Sequence, residues 1–295
     1  MTTHRIKPLP VFATVFLLLL MVHPVTAQHP SEVTDGFQRT DGWGTRKIVA
    51  TGLVGAIMAT SLYDSYNTWW KDAAKPFTFL GHSEENWLSG PHQGVDKPGH
   101  FFGTYALTRG IRNLLLWGGV DRNTAFWWAA GLGFWNGIQI EIGDGFSPYG
   151  FDYQDLVFDL GGVAYAMLQS ELPALESFNF KFSYWSTTGI RSPANFTNDY
   201  DAMVIWLTMN MHHVLPASLD RYWPDFLQLS VGYGVDNHET RRKFAIGFDI
   251  NLESFTVPSE DLLLAEKAVN LLHFPLPAVR MVEGKHPQYD PFFTK

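Results

Sequence analysis

The hydrophobic pattern changes character at Pro173, and that change restricts the chain to two kinds of structure joined end to end. Ahead of it lie four apolar, helix-like stretches rich in small residues. They run from about Lys47 to Tyr63, Gly99 to Trp117, Thr124 to Ile142 and Tyr153 to Leu172. Beyond it, apolar residues fall at every second position. The runs are Phe178, Phe180, Phe182 and Tyr184; Leu227, Leu229, Val231 and Tyr233; and Phe244, Ile246, Phe248, Ile250 and Leu252. Met203 to Met211 is a weaker fourth strand. A period of two gives each strand one apolar and one polar face. The expected fold class is α+β: an N-terminal four-helix bundle of membrane type, then a C-terminal antiparallel β-meander packed on the helices. Ser259, followed by Glu260 and Asp261, suits the start of a last helix that ends near His273.

Residues 1–27 have the form of a secretory signal peptide. His4, Arg5 and Lys7 precede the apolar run Val11 to Val22, and Val25-Thr26-Ala27 offers small residues for cleavage. The run is about half of the roughly 20 residues that a spanning helix needs. The chain is therefore expected to be exported in a bacterium, to the periplasm or to a membrane. Residues 28–44 read as a mobile lead-in, 45–173 as the helical domain, and 174–295 as a sheet with a terminal helix and tail.

Aromatic residues make up 15% of the chain, which fits a membrane-facing surface or an unusually aromatic core better than an average cytosolic enzyme. The formal charge of −8 argues against sequence-independent nucleic-acid binding. The absence of cysteine excludes disulfides, thiolate metal sites, a cysteine nucleophile and a cysteine-linked lipid. Arg109 and Arg112 lie inside the second helix, and Asp155 and Asp159 in the fourth. Each arginine would cost at least ~2.5–3.5 kcal/mol at a bilayer centre. A lipid-immersed bundle thus requires these charges to turn inward and pair; its rival is a water-soluble or peripheral helical core.

The ionisable residues gather at helix ends. Asp96-Lys97-Pro98-Gly99-His100 opens the second helix, Glu141-Ile142-Gly143-Asp144-Gly145 closes the third, and Asp152 to Asp155 opens the fourth, with Asp159 one turn on. Asp155 and Asp159 share a helical face. In an up-down bundle these three chain ends lie at one pole. His100, Glu141 and Asp155 are then candidate catalytic groups, with Asp96, Lys97, Asp144 and Asp159 as a ligand-binding or structural set around them. A histidine among carboxylates can bind a divalent metal or set a base beside an acid. The same residues can also serve as helix caps and as ion pairs in a tight joint between helices. No cofactor motif is present, and no metal spacing such as His-Glu-x-x-His. Trp69-Trp70 and Trp127-Trp128 read as interfacial or core pairs, Arg241-Arg242-Lys243 as a solvated charge run, and His212-His213 as a solvated or packing pair.

Those motifs, together with Phe146-Ser147, Gly150-Phe151 and Gly162, resemble the YfiM-like family of uncharacterised bacterial envelope proteins. They are distantly similar to VanZ-like membrane proteins. The likeness covers roughly residues 45–170. The later strands, with Tyr222-Trp223-Pro224, resemble the extended versions of the YfiM-like family found in Bacteroidetes-type bacteria. The resemblance implies an envelope location and a fold but no reaction. Asp159 stands where the VanZ-like pattern has Asn, which adds a negative charge to the cluster. The function these features suggest is a membrane-associated structural protein, or one that interacts with a membrane lipid or another envelope component such as a glycan. Two alternatives are an envelope hydrolase or transferase using the His/carboxylate cluster, and a small outer-membrane barrel element.

Overall fold

The structure is a computed structural model that describes residues 36–37, 44–80, 90–186, 199–211, 214–236 and 238–293. The leader, most of the lead-in, and His212-His213 lie outside the described residues. Helix α1 (Thr45–Ser65) runs into a π-helical turn, Tyr66–Trp70. Helices α2 (Asp96–Trp117), α3 (Arg122–Gly145) and α4 (Tyr153–Gln169) follow. Asp121 and Asp152 start α3 and α4 by accepting from the backbone N–H groups of Thr124 (2.9 Å) and Gln154 (2.8 Å). Such caps satisfy donors that the first helical turn leaves free.

Two glycines set how closely the helices pack. A Cβ on Gly162 would stand 2.1 Å from the Phe101 carbonyl oxygen, and one on Gly137 would stand 2.7 Å from Asp159 Cβ. Only a hydrogen fits in these gaps, so α4 is drawn onto α2 and α3. Helix α1 buries only a thin stripe. Ala50 and Val54 pack on Ile111, Leu115, Ala125 and Ala129. Ile48, Leu53, Ile57 and Leu62 face outward. By length and composition Thr45–Trp70 could cross a membrane. Arg109 is turned inward and paired. It donates to Tyr105 (2.7 Å), Asn179 (2.8 Å) and Glu253 (2.8 Å).

The sheet holds β1 (Phe178–Tyr184), β2 (Met203–Asn210), β3 (Leu227–Asp236), β4 (Arg241–Ile250), β5 (Ala278–Val282) and β6 (Gln288–Asp290). They lie side by side in chain order, each antiparallel to the next. A one-turn helix α5 (Ala217–Asp220) precedes β3, and α6 (Glu260–Val269) precedes β5. Ser259 caps α6 by accepting from Leu262 N at 3.3 Å. The chain then returns to the open edge of β1, where Phe182 N donates to Leu271 O and His273 N donates to Phe182 O, both at 2.9 Å.

The alternation is as expected, but its sense is not. Packing a meander on helices calls for the apolar face inward. That holds at β1 and β2, where Phe101 meets Phe180 at 4.6 Å and Phe102 stacks on Phe182 at 5.5 Å, and at the end of β3, where Tyr233 and Val235 pack with Val95. Over the middle of β3 and along β4 and β5 the apolar face is open: Val231 is 49% exposed and Ile246 52%. On the opposite face Lys181, Thr208, Gln228 and Asp249 are fully buried. Lys243 is buried with them, which corrects the reading of Arg241-Arg242-Lys243 as a solvated run; its Nζ donates to Asp201 O at 3.3 Å.

The reason for the reversal is a roll of the sheet around its polar face. Lys181 on β1 reaches Asp249 on β4 at 2.6 Å. Three strand spacings in a flat sheet would hold their backbones roughly 14 Å apart. The enclosed space is filled from within. His273 stacks on Trp206 at 3.7 Å, Phe293 meets the same indole edge-on at 5.0 Å, and Phe274 N donates to Asp249 at 2.8 Å.

Candidate functional site

The three helix ends converge. Lys97, in the first turn of α2, is buried and ion-paired to Asp96 (3.1 Å), Asp152 (2.5 Å) and Asp155 (2.8 Å). One turn on, His100 presents Nδ1 to Asp159 at 3.2 Å and to Glu141 Oε1 at 3.8 Å, and Nε2 to Asp155 Oδ2 at 3.8 Å. Glu141, near the end of α3, has a side chain only 1% exposed. Its Oε2 accepts from Asp152 N at 3.0 Å, while its Oε1, also buried, has no hydrogen-bond partner. Asp159 is held between α2 and α3. Its backbone oxygen accepts from Thr104 Oγ1 at 2.9 Å, and its Cβ lies against Gly137.

Asp144 stands at the rim, where its carboxylate accepts from Trp70 Nε1 at 2.8 Å. That bond gives Trp70, read as an interfacial or core residue, a polar partner as well. It also explains the glycine at 143: a Cβ there would stand 2.1 Å from the indole. The segment around Phe77 to Leu80 backs the site through a short parallel bridge from Phe79 to Phe151.

Burial and like charge dominate the electrostatics. Burial pushes the Glu141 carboxyl up to about 9, with Asp155 and Asp159 adding to the rise against His100 and the Asp152 N–H. Burial likewise lifts Asp144 to about 6, against the Trp70 hydrogen bond and His100. Asp155 is raised by burial, despite His100 and Lys97 beside it. For the cations burial works the other way and is overridden. Asp155 and Asp159 hold His100 well above 6.5, and Asp155 and Asp96 raise Lys97. Burial thus favours the protonated form of Glu141 and the carboxylates favour the charged form of His100, so a cation that binds here displaces both protons. Proton transfer and cation binding are both within its chemistry.

All seven candidate residues, Asp96, Lys97, His100, Glu141, Asp144, Asp155 and Asp159, meet at this pole. Asp152 completes the set, capping α4, pairing with Lys97 and handing its own N–H to Glu141. Its place just before Tyr153 was the signal for a cap, but nothing in the sequence marks its bond to Lys97. A second polar cluster joins the helices to the sheet. Glu253 accepts from Arg109 (2.8 Å), Lys267 (3.0 Å) and Asn270 (2.9 Å). Burial opposes its charge, yet Arg109 and Lys267 hold it down to about 2. Its full set of partners makes it a structural joint.

Fold and site together define an α+β protein with a His–carboxylate centre at one pole of its helices. Residues 84–171 match the model of a family described as "Predicted periplasmic lipoprotein (DUF2279)". The matched stretch takes in α2, α3 and α4 and every residue of the cluster except Trp70. The periplasmic description agrees with the leader-like N-terminus. The lipoprotein part finds no cysteine in the 295 residues to carry a lipid. No curated protein and no solved structure matches the chain.

Proposed function

We propose that this chain docks on a lipid surface of the envelope and holds the His–carboxylate centre beside it. The observation that carries the reading is the reversed sheet: Lys181 and Asp249 lie inside while Val231, Ile246 and Phe248 of the same sheet lie outside. A soluble monomer rarely leaves so large an apolar face open, and apolar-out, polar-in strands suit lipid contact. Helix α1 adds Ile48, Leu53, Ile57 and Leu62, and α3 adds Trp127, Trp128 and Trp135. Exposed tryptophans suit the headgroup level. The six strands among the described residues form an open sheet, from β1 to β6, short of the roughly eight strands of a bacterial barrel, which favours surface docking over a small outer-membrane barrel element. The net charge of −8 favours uncharged or zwitterionic lipid over anionic lipid. The resemblance to the YfiM-like family, and the distant one to VanZ-like membrane proteins, supports an envelope setting.

Flotation of the purified chain with phosphatidylcholine vesicles tests the reading. Co-flotation that Ile246→Asp and Phe248→Asp together abolish is the expected result. A chain that stays at the bottom of the gradient contradicts it, and a dimer that buries the same face would replace lipid with a second copy.

A specific observation favours a second reading, an envelope hydrolase or transferase. The Glu141 carboxyl, pushed up to about 9, and the charged His100 lie beside the Asp159 carboxylate, so proton donors and a proton acceptor share one pocket. Turnover of an ester or phosphodiester substrate that Glu141→Gln removes would support it.

A further inference from the structure

Glu141 Oε1 is buried without a hydrogen-bond partner and points at an imidazole. A buried carboxyl oxygen in that position costs free energy unless a proton or a cation meets it. Lys97 is not that partner, because three other carboxylates already occupy it. His100, Glu141 and Asp155 each offer one donor atom, and those atoms lie within 4.8 Å of one another.

We infer that His100, Glu141 and Asp155 bind one divalent transition-metal ion. An ion with bonds of about 2.0–2.2 Å holds tetrahedral donors roughly 3.4 Å apart. With Nδ1 held by Asp159, Nε2 is the ligating atom: it stands 3.8 Å from Asp155 Oδ2, and Glu141 Oε1, which lies 3.8 Å from Nδ1, must swing toward it. One nitrogen and two carboxylates suit zinc or manganese, whereas magnesium and calcium take oxygen alone. Asp159 supplies the support such sites use: it takes the hydrogen bond from His100 Nδ1 and fixes the ring. Four carboxylates further out, Asp96, Asp144, Asp152 and Asp159, leave the pole rich in negative charge. His100 keeps 22% of its side chain exposed, so water can reach a fourth coordination position. This inference is independent of the lipid reading.

The test uses the full chain, stripped with a chelator and titrated calorimetrically with Zn²⁺ alone and with Mn²⁺ alone. One equivalent should bind, and the same chain with Co²⁺ should show the visible bands of a low-coordinate N/O site. Glu141→Gln and Asp155→Asn should each abolish the binding, and Asp159→Asn should weaken it about 10–100-fold. Glu171→Gln, beyond the other end of α4, should bind like the wild type. No bound ion, or binding that survives both Glu141→Gln and Asp155→Asn, overturns the inference. If those variants do not fold, wild-type protein decides the matter through diethyl pyrocarbonate labelling mapped by peptide mass. Protection of His100 by Zn²⁺ supports the site, and unchanged labelling overturns it.

Discussion

Lys181 and Asp249 stand 2.6 Å apart across two intervening strands, and solvent reaches neither side chain. Lys181 also donates to Ile250 O (2.7 Å) and Asn270 Oδ1 (2.9 Å). The pair works as a tie across the roll of the sheet. Burial outweighs the attraction between the two charges, pushing Asp249 up and Lys181 down.

Breaking that tie from one side leaves a charge buried alone. Lys181→Met should destabilise the protein by about 3–5 kcal/mol. The double variant with Asp249→Leu should recover most of the loss, because no uncompensated charge remains. Thermal melts of the two variants measure both effects.

The helix packing predicts opposite results for two glycines. Gly162→Ala drives a methyl group into the Phe101 carbonyl and should cost about 1–3 kcal/mol. Gly131, in the middle of α3, has nothing within 4 Å of a built Cβ. Gly131→Ala should therefore stabilise by up to about 1 kcal/mol through helix propensity. Urea unfolding midpoints separate the two.

The Glu141 carboxyl gives the metal-free protein a pH dependence with a definite sign. Its folded pKa of about 9 lies above the ordinary 4.5, so the folded state holds the proton more tightly. Its contribution is fully present below about pH 4.5 and is lost as pH rises toward 9. Glu141→Gln keeps the neutral shape and removes the titration. Without metal it should melt near the wild type at pH 4.5 and above it at pH 8, by an order of a few kcal/mol. Melting curves at the two pH values check this. A bound ion would take the ionised carboxylate and narrow the gap.

How much of this was legible depended on the kind of pattern. The convergence of His100, Glu141, Asp155 and Asp159 followed from helix lengths and short connections, which put three chain ends at one pole. The inward pairing of Arg109 is what a lipid-immersed bundle requires of it, though a water-soluble core, left open beside that bundle, accommodates the same pairing. The orientation of the sheet could not follow from alternation, because Phe244, Ile246 and Phe248 against Ala245, Gly247 and Asp249 define two faces without saying which is inside. That depended on a contact between β1 and β4, which are far apart in the chain, and on Trp206 and His273 filling the space. Trp70 was missed for a related reason: its bond to Asp144 joins segments 74 residues apart.

The outward apolar face is the claim on which the functional account rests. The chain has no cysteine, so single cysteines report on it without background. Ile246→Cys and Ala245→Cys, neighbours on opposite faces of β4, would be tested with an environment-sensitive fluorophore and phosphatidylcholine vesicles. The account predicts that position 246 labels in the native state and that its emission shifts to the blue when vesicles are added, while position 245 resists labelling until the protein unfolds. Ready labelling at 245, or no spectral response at 246, would contradict it.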